Sequence, residues 1–265
     1  MVTIGFIGAG KMAEALIKAI LKAKITKSII ASDVSEKRLD YIKKNLNIKV
    51  TRSNKEVVKK ANVLILAIKP QNMADVLKEI KNDVANKHLI VSIAAGIKID
   101  YIQKQLGDKN RVIRVMPNTP CLVGEMAAGF AAGRYAKDND IKLVATILNS
   151  AGKAFVVCED MLDAVTGLSG SGPAFMAYIL EAMIEGGVKQ GLSKDVATEL
   201  AMQTMKGTGK LLQETGLSPK ELIDMVSSPG GTTIAGRKIL EKSDVKKILI
   251  KTVERATKRS KELGK

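Results

Sequence analysis

The sequence predicts an α/β fold in the first part of the chain and an all-α fold in the second. Up to about residue 157, short apolar strands alternate with helical stretches, which indicates a parallel sheet of the Rossmann type. Beyond Asp160, long helices rich in Ala, Met, Leu and Ile are separated by glycine turns. We therefore expect a Rossmann-like domain over residues 1–160 and a helical domain over residues 161–265.

In the first domain, apolar runs predict strands at 2–7, 28–32, 47–51, 63–68, 89–93, 111–116 and near 154–157. Helices are predicted at 10–23 and 35–45. The helix at 10–23 is the clearest, because Ala13, Leu16, Ile17, Ile20 and Leu21 fall on one face. Ser53 and Glu56 predict a capping box for a short third helix.

In the second domain, helices are predicted at 173–190, 194–213, 219–227, 232–242 and 244–262. Ser218, Pro219 and Glu221 form a helix start, with Ser as N-cap and Pro in the first position. This half has little apolar material for a core of its own. We expect its helices to be shared with a second copy of the chain, the alternative being packing onto the first domain only.

Composition excludes several functional classes. The longest apolar runs are strand-sized, so we expect no membrane span, and no leader sequence is recognisable, so we expect a cytoplasmic protein. The two cysteines, Cys121 and Cys158, suit neither a zinc site nor a disulfide framework, and we expect no metal. The net charge of +16 raises nucleic acid as a partner, but with no Trp, four Tyr and four Phe the stacking residues of such binders are scarce.

A glycine-rich turn follows the first strand. Gly8-Ala9-Gly10-Lys11-Met12-Ala13 matches G-x-G-x-x-A and opens the first helix, which is the context that gives this pattern its meaning. Gly8 would allow the tight turn, and Gly10 would let a pyrophosphate approach the backbone at the helix N-terminus. We therefore expect a bound nicotinamide dinucleotide, NAD(P)H.

Asp33 ends the second strand, where an acidic side chain can bind the adenosine ribose hydroxyls and repel a 2′-phosphate. Asp33 therefore favours NADH. The alternative is a charge at the start of the next helix, and Lys37 and Arg38 lie near enough to bind a phosphate.

Three further segments follow strands, where ligands bind in such sheets: Ala67–Pro70, Ser92–Gly96 and Val115–Pro120. Two glycine loops, Ser169–Pro173 and Ser227–Thr233, precede helices in the second domain. In the later loop, free amides at Gly231, Thr232 and Thr233 would form a receptor for a small carboxylate. An ordinary turn between helices is the alternative.

Six segments together resemble one family: Gly8–Met12, Ser53-Asn54, Lys69-Pro70, Val115–Pro120, Asp163–Ala174 and Asp224–Ile234. They resemble the pyrroline-5-carboxylate reductases, which reduce a cyclic imine to L-proline in the last step of proline biosynthesis. The resemblance runs nearly end to end. It implies a Rossmann domain followed by a helical dimerisation domain, with dimers often assembling into larger rings.

The resemblance also implies site residues. The substrate carboxylate would be held by Ser228, Gly230, Gly231, Thr232 and Thr233, with the Thr233 hydroxyl as the catalytic group at the ring nitrogen. Asn54 would touch the adenosine ribose. With the glycine turn and the strand ends, the expected cofactor-binding residues are Gly8, Ala9, Gly10, Lys11, Met12, Asp33, Asn54, Ala67, Lys69, Pro70, Ala94 and Asn118. The family commonly prefers NADPH and often lacks an acidic residue at the position of Asp33, so the choice of cofactor stays open.

Two other functions fit the same architecture. A β-hydroxyacid dehydrogenase would need a lysine on the helix after the first glycine loop, but no lysine follows Gly172 until Lys189. A dinucleotide-sensing protein without turnover would have no use for a second anion receptor. The single histidine, His88, precedes an apolar strand, which argues against a catalytic triad.

Overall fold

A computed structural model describes residues 2–264 of the chain. It divides into two compact units, one made of the chain up to Ser171 together with the chain from Glu254 onward, the other of Gly172–Val253. The boundary lies later than the expected residue 160, because Leu162 is fully buried in the core of the first unit and Val165 packs against that core. The Ser260 hydroxyl also hydrogen-bonds to Asp163, at 2.5 Å, within the same unit.

The first unit is built on one eight-stranded sheet. Its strands are β1 Ile4–Ile7, β2 Ile29–Ser32, β3 Lys49–Thr51, β4 Val63–Leu66, β5 Leu89–Ser92, β6 Arg111–Met116, β7 Met126–Ala132 and β8 Gly152–Val156. They follow the order β3-β2-β1-β4-β5-β6-β7-β8. β1 pairs in parallel with both β2 and β4. The strand order therefore runs outward from β1 in one direction to β3 and in the other direction from β4 onward. Such folds bind ligands at this point of reversal, between β1 and β4.

Helices connect the strands and form the second unit. They are α1 Lys11–Lys22, α2 Glu36–Leu46, α3 Asn54–Lys60, α4 Met73–Ile80, α5 Ile99–Leu106, α6 Asp138–Asn149, α7 Leu162–Val165, α8 Gly172–Lys189, α9 Lys194–Thr215, α10 Pro219–Met225, α11 Thr232–Lys242 and α12 Val245–Leu263. The N-terminal Rossmann-like domain and the helical C-terminal part are thus confirmed.

The core of the first unit lies on both faces of the sheet. Strands β1, β2, β4 and β5 are buried along their whole length, as expected for parallel strands covered on both sides. On α1, Leu16, Ile17 and Ile20 are buried as the helical periodicity predicts. The packing places the N-terminus of α1 directly after β1 at the carboxyl edge of the sheet.

One strand departs from the predicted parallel sheet. β7 runs antiparallel to β6, with Phe130 opposite Val115, and was not predicted at all. Its sequence, Met-Ala-Ala-Gly-Phe-Ala-Ala, is made mostly of small residues and lacks the β-branched alternation that marks strands. Gly129 is required there, because a Cβ would lie 2.7 Å from Val165. The sheet is therefore mixed at this end.

The predicted caps are confirmed in part. Ser218 and Glu221 form a complete capping box at α10, with Pro219 in the first position. At α3, the Ser53 hydroxyl accepts from the Glu56 amide, but the Glu56 carboxylate bonds to Thr51 and Lys60 instead of returning to Ser53. That start is a simple Ser cap and not a capping box.

The second unit has almost no core of its own. Between residues 172 and 253, only Gly172 and Ala197 are buried. α8 packs against α9, and the groove between them, about 450 Å³, is lined by apolar residues such as Ile179, Met183 and Leu200. Large apolar side chains face outward, including Tyr178 at 75% and Ile239 at 71% exposure. Such extensive exposed apolar surface is typical of an association interface.

Within residues 2–264, no helix has both the length and the apolar character needed to cross a membrane. In the same part of the chain, no cluster of three or more His, Cys, Asp or Glu side chains is placed to hold a metal ion.

Candidate active site

The glycine turn between β1 and α1 has the geometry of a phosphate-binding turn. Gly8 has a positive φ of 94°, and a Cβ there would overlap the Ala67 carbonyl group, so the tight turn requires glycine. At Gly10 a Cβ would meet no atom within 4 Å, so packing within the protein does not explain this glycine. No side chain caps α1. Open space therefore lies in front of the free amides of the helix N-terminus, as a pyrophosphate requires.

The carboxyl ends of four strands enclose one cavity of about 300 Å³ in front of this turn. Its lining comes from the turn and from the three segments that the sequence singled out at strand ends: Gly10, Lys11, Met12, Ala13, Ala67, Ile68, Lys69, Ile93, Ala95, Met116 and Pro117. The sequence-predicted segments therefore meet. The mostly apolar lining and the helix N-terminus fit a dinucleotide, with its nicotinamide part against apolar side chains and its phosphates at the amides.

Side chains from the β2–α2 connection and from the first turn of α2 hold the glycine turn. Ala9 is completely buried, and its N–H donates to Asp33 Oδ2 at 2.9 Å. The Ala9 carbonyl accepts from Arg38 Nε, and the Gly10 carbonyl accepts from Arg38 Nη2 at 3.2 Å. The other Asp33 oxygen accepts from the Ser35 N–H at 2.9 Å. Asp33 therefore holds the backbone at Ala9 and Ser35, independently of any contact with a bound cofactor.

The side chain of Asn54 lies beside the end of β2. Its Oδ1 accepts from the buried Ser32 hydroxyl at 2.7 Å, and its Nδ2 donates to Glu79 Oε2 at 2.7 Å. Asn54 and Asp33 are therefore both anchored next to Ser32. This places the two expected ribose-binding residues at one end of the carboxyl edge.

Four of the other expected cofactor residues differ in their surroundings. Lys69 is exposed at the cavity, and Pro70 begins a short 3₁₀ helix, Pro70–Asn72. Ala94 is buried, whereas its neighbours Ile93 and Ala95 line the cavity. The amide of buried Asn118 donates to the Ser169 carbonyl and accepts from the Ala127 N–H. Asn118 thus ties the end of β6 to the chain around it.

A buried ionic group next to the glycine turn was not predicted from the sequence. Glu14, on α1, accepts from Arg38 Nη2 at 2.6 Å and from Lys18 Nζ at 2.7 Å. Burial raises the pKa of Glu14, but the hydrogen bonds from Lys18 and Arg38 outweigh it and lower that pKa to about 2. The one sequence signal was the four-residue spacing of Glu14 and Lys18, which is also usual for a solvated pair.

In the second unit, the loop before α11 presents a helix N-terminus. Gly230 has a positive φ of 73°, and Gly231 is the N-cap, without a side-chain cap. The expectation of a free amide at Gly231 was wrong, because its N–H donates to the Ser228 carbonyl at 3.0 Å and closes the turn. The Ala235 N–H makes the first bond of the helix, to the Gly231 carbonyl. The free amides are therefore those of residues 232–234.

The hydroxyl-bearing residues of this loop are accessible. Ser228, Thr232 and Thr233 are all exposed, and the two threonines are the first two residues of α11. A helix N-terminus with free amides and adjacent hydroxyls suits a small carboxylate.

Comparison with known proteins identifies the family. The chain is 45% identical to a pyrroline-5-carboxylate reductase of Methanosarcina acetivorans over 264 residues, which is 99% of this chain and 98% of that protein. The chain belongs to the pyrroline-5-carboxylate reductase family. Pyrroline-5-carboxylate reductase 3 of Rattus norvegicus is 41% identical over 99% of this chain and 96% of its own length.

Family models agree with this assignment. One described as pyrroline-5-carboxylate reductase dimerisation matches residues 159–263, and one described as NADP oxidoreductase, coenzyme F420-dependent, matches residues 3–96.

Solved structures of the family are also similar. A pyrroline-5-carboxylate reductase from Coxiella burnetii matches with a TM-score of 0.96 and 34% identity, covering 100% of this chain and 99% of that one. The enzyme from Plasmodium falciparum, solved with NADP bound, matches with a TM-score of 0.87 and 33% identity, covering 100% and 98%. The fold predicted for the reductase family is therefore confirmed.

Proposed function

We propose that this chain reduces the C=N bond of 1-pyrroline-5-carboxylate to give L-proline, with reduced nicotinamide dinucleotide as the hydride donor. The observation that carries this proposal is the near full-length identity to proteins named for that reaction, at 45% over 99% of the chain. The open α1 N-terminus and the apolar cavity beside it fit the dinucleotide. When bound, the reduced nicotinamide supplies the hydride.

In this proposal the loop 228–233 holds the substrate. The free amides of residues 232–234 and the positive end of the α11 dipole bind the carboxylate. We assign the Thr233 hydroxyl as the catalytic group, which would hydrogen-bond the ring nitrogen. Ser228, Gly230, Gly231 and Thr232 shape the remainder of the receptor. A receptor at each end of the substrate head would fix the imine carbon for hydride attack, which is catalysis by positioning.

The chemistry requires no strong protein acid. A pyrroline imine protonates readily in water, and the resulting iminium accepts hydride. The only histidine in the sequence could not serve as an acid, because His88 is 1% exposed and both ring nitrogens lie against backbone groups of Val58 and Ala85. Hydroxyl groups and backbone amides therefore suffice.

For the cofactor, we propose a preference for NADH. The Asp33 carboxylate, at the end of β2, would face a 2′-phosphate and repel it. Arg38, the neighbouring cation best suited to a phosphate, is engaged with Glu14 and two carbonyl groups. Against this stands the wider family, for which NADPH is common, and exposed Lys37, which is available to a phosphate.

The exposed apolar helices support a homodimer formed through residues after 160, in agreement with the match to a dimerisation model over 159–263. Larger rings of dimers, the cytoplasm as location, and the exclusion of nucleic acid and membranes as partners stay predictions from the sequence.

The β-hydroxyacid dehydrogenase alternative lacks its acid. On α8, Lys189 is the last residue, roughly 25 Å along the helix axis from Gly172 at 1.5 Å per residue. A sensor without turnover is separated from a reductase by experiment only.

The test is to mix purified protein with racemic 1-pyrroline-5-carboxylate and follow nicotinamide absorbance with NADH and NADPH in parallel, with proline measured as the product. We expect oxidation that depends on substrate, faster with NADH at low concentration. Oxidation of neither cofactor would overturn the reductase assignment, and turnover of 3-hydroxyacids with NAD⁺ would support the alternative.

A variant of the loop 228–233 tests whether this loop binds the substrate carboxylate. In Gly231→Val, a Cβ would lie 2.6 Å from the Ser228 hydroxyl oxygen and 3.0 Å from the Ser228 carbonyl oxygen, so Ser228 must shift. We expect weaker substrate binding with NADH binding unchanged. If instead the variant binds substrate like the wild type, the loop is not the carboxylate receptor.

A further inference from the structure

The phosphate-binding turn is held by side chains that come from later in the chain. Both backbone polar groups of Ala9 are bonded to such side chains, the N–H to Asp33 and the carbonyl to Arg38. Arg38 Nη2 also donates to the Gly10 carbonyl. These contacts fix the three successive peptide groups between Gly8 and Lys11, and so determine where the free amides of the helix N-terminus point.

Arg38 is itself held in place by a buried partner. Its Nη2 donates to Glu14 Oε2 at 2.6 Å, and its guanidinium lies 5.0 Å from the centre of the Tyr41 ring. Three of its five N–H groups are thereby occupied. Because the guanidinium is planar and rigid, Arg38 cannot turn towards another anion without breaking these bonds.

Glu14 is well suited to this task. Its side chain is 5% exposed and remains charged because two cations bond to it. Removing charge from such a buried pair leaves the remaining partner free to seek another anion.

We propose that Glu14 and Arg38 form a clamp that positions the phosphate-binding turn and withholds Arg38 from the adenosine 2′-position. Arg38 is then a positioning residue for both cofactors, and Glu14 is a specificity-determining residue that acts through it. The second statement rests on the proposed preference for NADH. In dinucleotide-binding folds, an arginine near the end of the second strand accommodates the 2′-phosphate. Here the arginine, Arg38, is present, but it donates to the carbonyl groups of the phosphate-binding turn.

The first test compares Arg38→Ala with the wild type by titrating NADH and NADPH, using nicotinamide fluorescence without substrate. We expect both dissociation constants to rise about tenfold, the scale of one lost charge-assisted bond, with their ratio unchanged. The kcat at saturating cofactor and the KM for the imine should stay within about twofold, whereas a general loosening of the fold would change them. A loss confined to NADPH, or no loss for either cofactor, would overturn the clamp.

The second test is Glu14→Gln, which keeps the size of the side chain and removes its charge. We expect the ratio of the NADPH to the NADH dissociation constant to fall about fivefold, because Arg38 becomes available to a 2′-phosphate. The fall should disappear in the double variant Glu14→Gln/Arg38→Ala. An unchanged ratio in Glu14→Gln would overturn the specificity role.

Lys18→Ala is the matched control. Lys18 bonds to the same carboxylate at 2.7 Å, but its side chain is half exposed and, within residues 2–264, its hydrogen bond is to Glu14 and not to the turn, so we expect unaltered binding of both cofactors. If Glu14→Gln does not fold, the Arg38→Ala ratio decides alone. Because cofactor binding is measured without the imine, failure of the reductase assay leaves these results interpretable by themselves.

Discussion

The Asp33 carboxylate holds the backbone of the phosphate-binding turn and is also the group that we propose selects the cofactor. The sequence predicted either a ribose ligand or a charge at a helix start, and the structure adds that its carboxylate holds the Ala9 and Ser35 amides. Sequence patterns could not reveal the Ala9 bond, because 24 residues separate the two partners. The same holds for Arg38 and Glu14.

We predict that Asp33→Ser raises the ratio of kcat/KM for NADPH to kcat/KM for NADH, because the repelling charge is lost. The change corresponds to about 1 to 3 kcal/mol in the free energy that separates the two cofactors. Because the Ala9 N–H loses its acceptor, both cofactors should also bind more weakly. Asp33→Asn is the control, since its amide oxygen can still accept from Ala9. An unchanged ratio in both variants would show that Asp33 only supports the turn.

A second prediction for a single residue concerns the hydroxyl of Thr233. We predict that Thr233→Ala lowers kcat by about 1 to 3 kcal/mol in activation free energy, the effect of one unpaired hydrogen-bonding group, and raises the KM for the imine much less. Steady-state kinetics with saturating NADH measures this. Thr232→Ala, one residue earlier in α11, is the control. If Thr232→Ala is the inactive variant, the catalytic hydroxyl belongs to Thr232, and if both are fully active the loop is a structural turn.

At the scale of elements, prediction succeeded where periodicity is strong. β6 and α11 have the predicted bounds, Arg111–Met116 and Thr232–Lys242. β7 was missed because its residues are small and its pairing is antiparallel. No bounds were predicted for α4, α5, α6 or α7, and the start of α6 at Asp138 lies in a run of polar residues. The amide of Gly231 was assigned wrongly for a related reason, since a turn inside a loop has no period to detect.

His88 links two elements and gives a pH-dependent contribution to stability. Its Nδ1 accepts from the Ala85 N–H at 2.8 Å, so Nε2 carries the proton and donates to the Val58 carbonyl at 3.1 Å, at α3. Burial lowers the pKa of His88, and the charge of Lys87 lowers it further, against the opposing hydrogen bond to Val58. The neutral ring is therefore the form that fits the fold.

A group whose pKa is lowered by folding stabilises the protein above its unfolded pKa, and this contribution is lost as the pH falls. We predict that His88→Gln costs about 1 to 3 kcal/mol of unfolding free energy at pH 7.5, measured by urea denaturation. The difference in unfolding free energy between the two proteins should shrink at pH 5.5, which lies below the ordinary histidine pKa of 6.5. At that pH the imidazole is protonated in the unfolded wild type and must lose its proton on folding, a cost that the glutamine variant does not have. Parallel pH profiles of the two proteins would contradict the role assigned to the ring.

At the scale of the whole molecule, the second unit exposes apolar surface that we predict a second copy of the chain covers. Two buried residues in 172–253 cannot hold five helical segments in place by burial of apolar surface. The groove between α8 and α9 offers a continuous apolar surface to another copy of the chain.

We predict that light scattering after size-exclusion chromatography gives at least a dimer. Leu200→Glu should weaken the dimer, because Leu200 lines the groove and is 55% exposed. Lys194→Glu, which makes the exposed start of α9 more negative, should not. A monomer at micromolar concentration with full activity would show that the helices are not shared.

The return of α12 to the first unit has a consequence for synthesis. Residues 172–253 separate the two parts of that unit, so Glu254 leaves the ribosome 83 positions after Ser171. At roughly 5 to 20 residues per second, about 4 to 17 s pass between synthesis of Ser171 and of Glu254, which begins the segment whose Ser260 bonds to Asp163. During that interval Asp163 lacks its partner, and the emerging apolar helices have no second copy beside them. Nascent chains on neighbouring ribosomes of one message would supply that copy soonest.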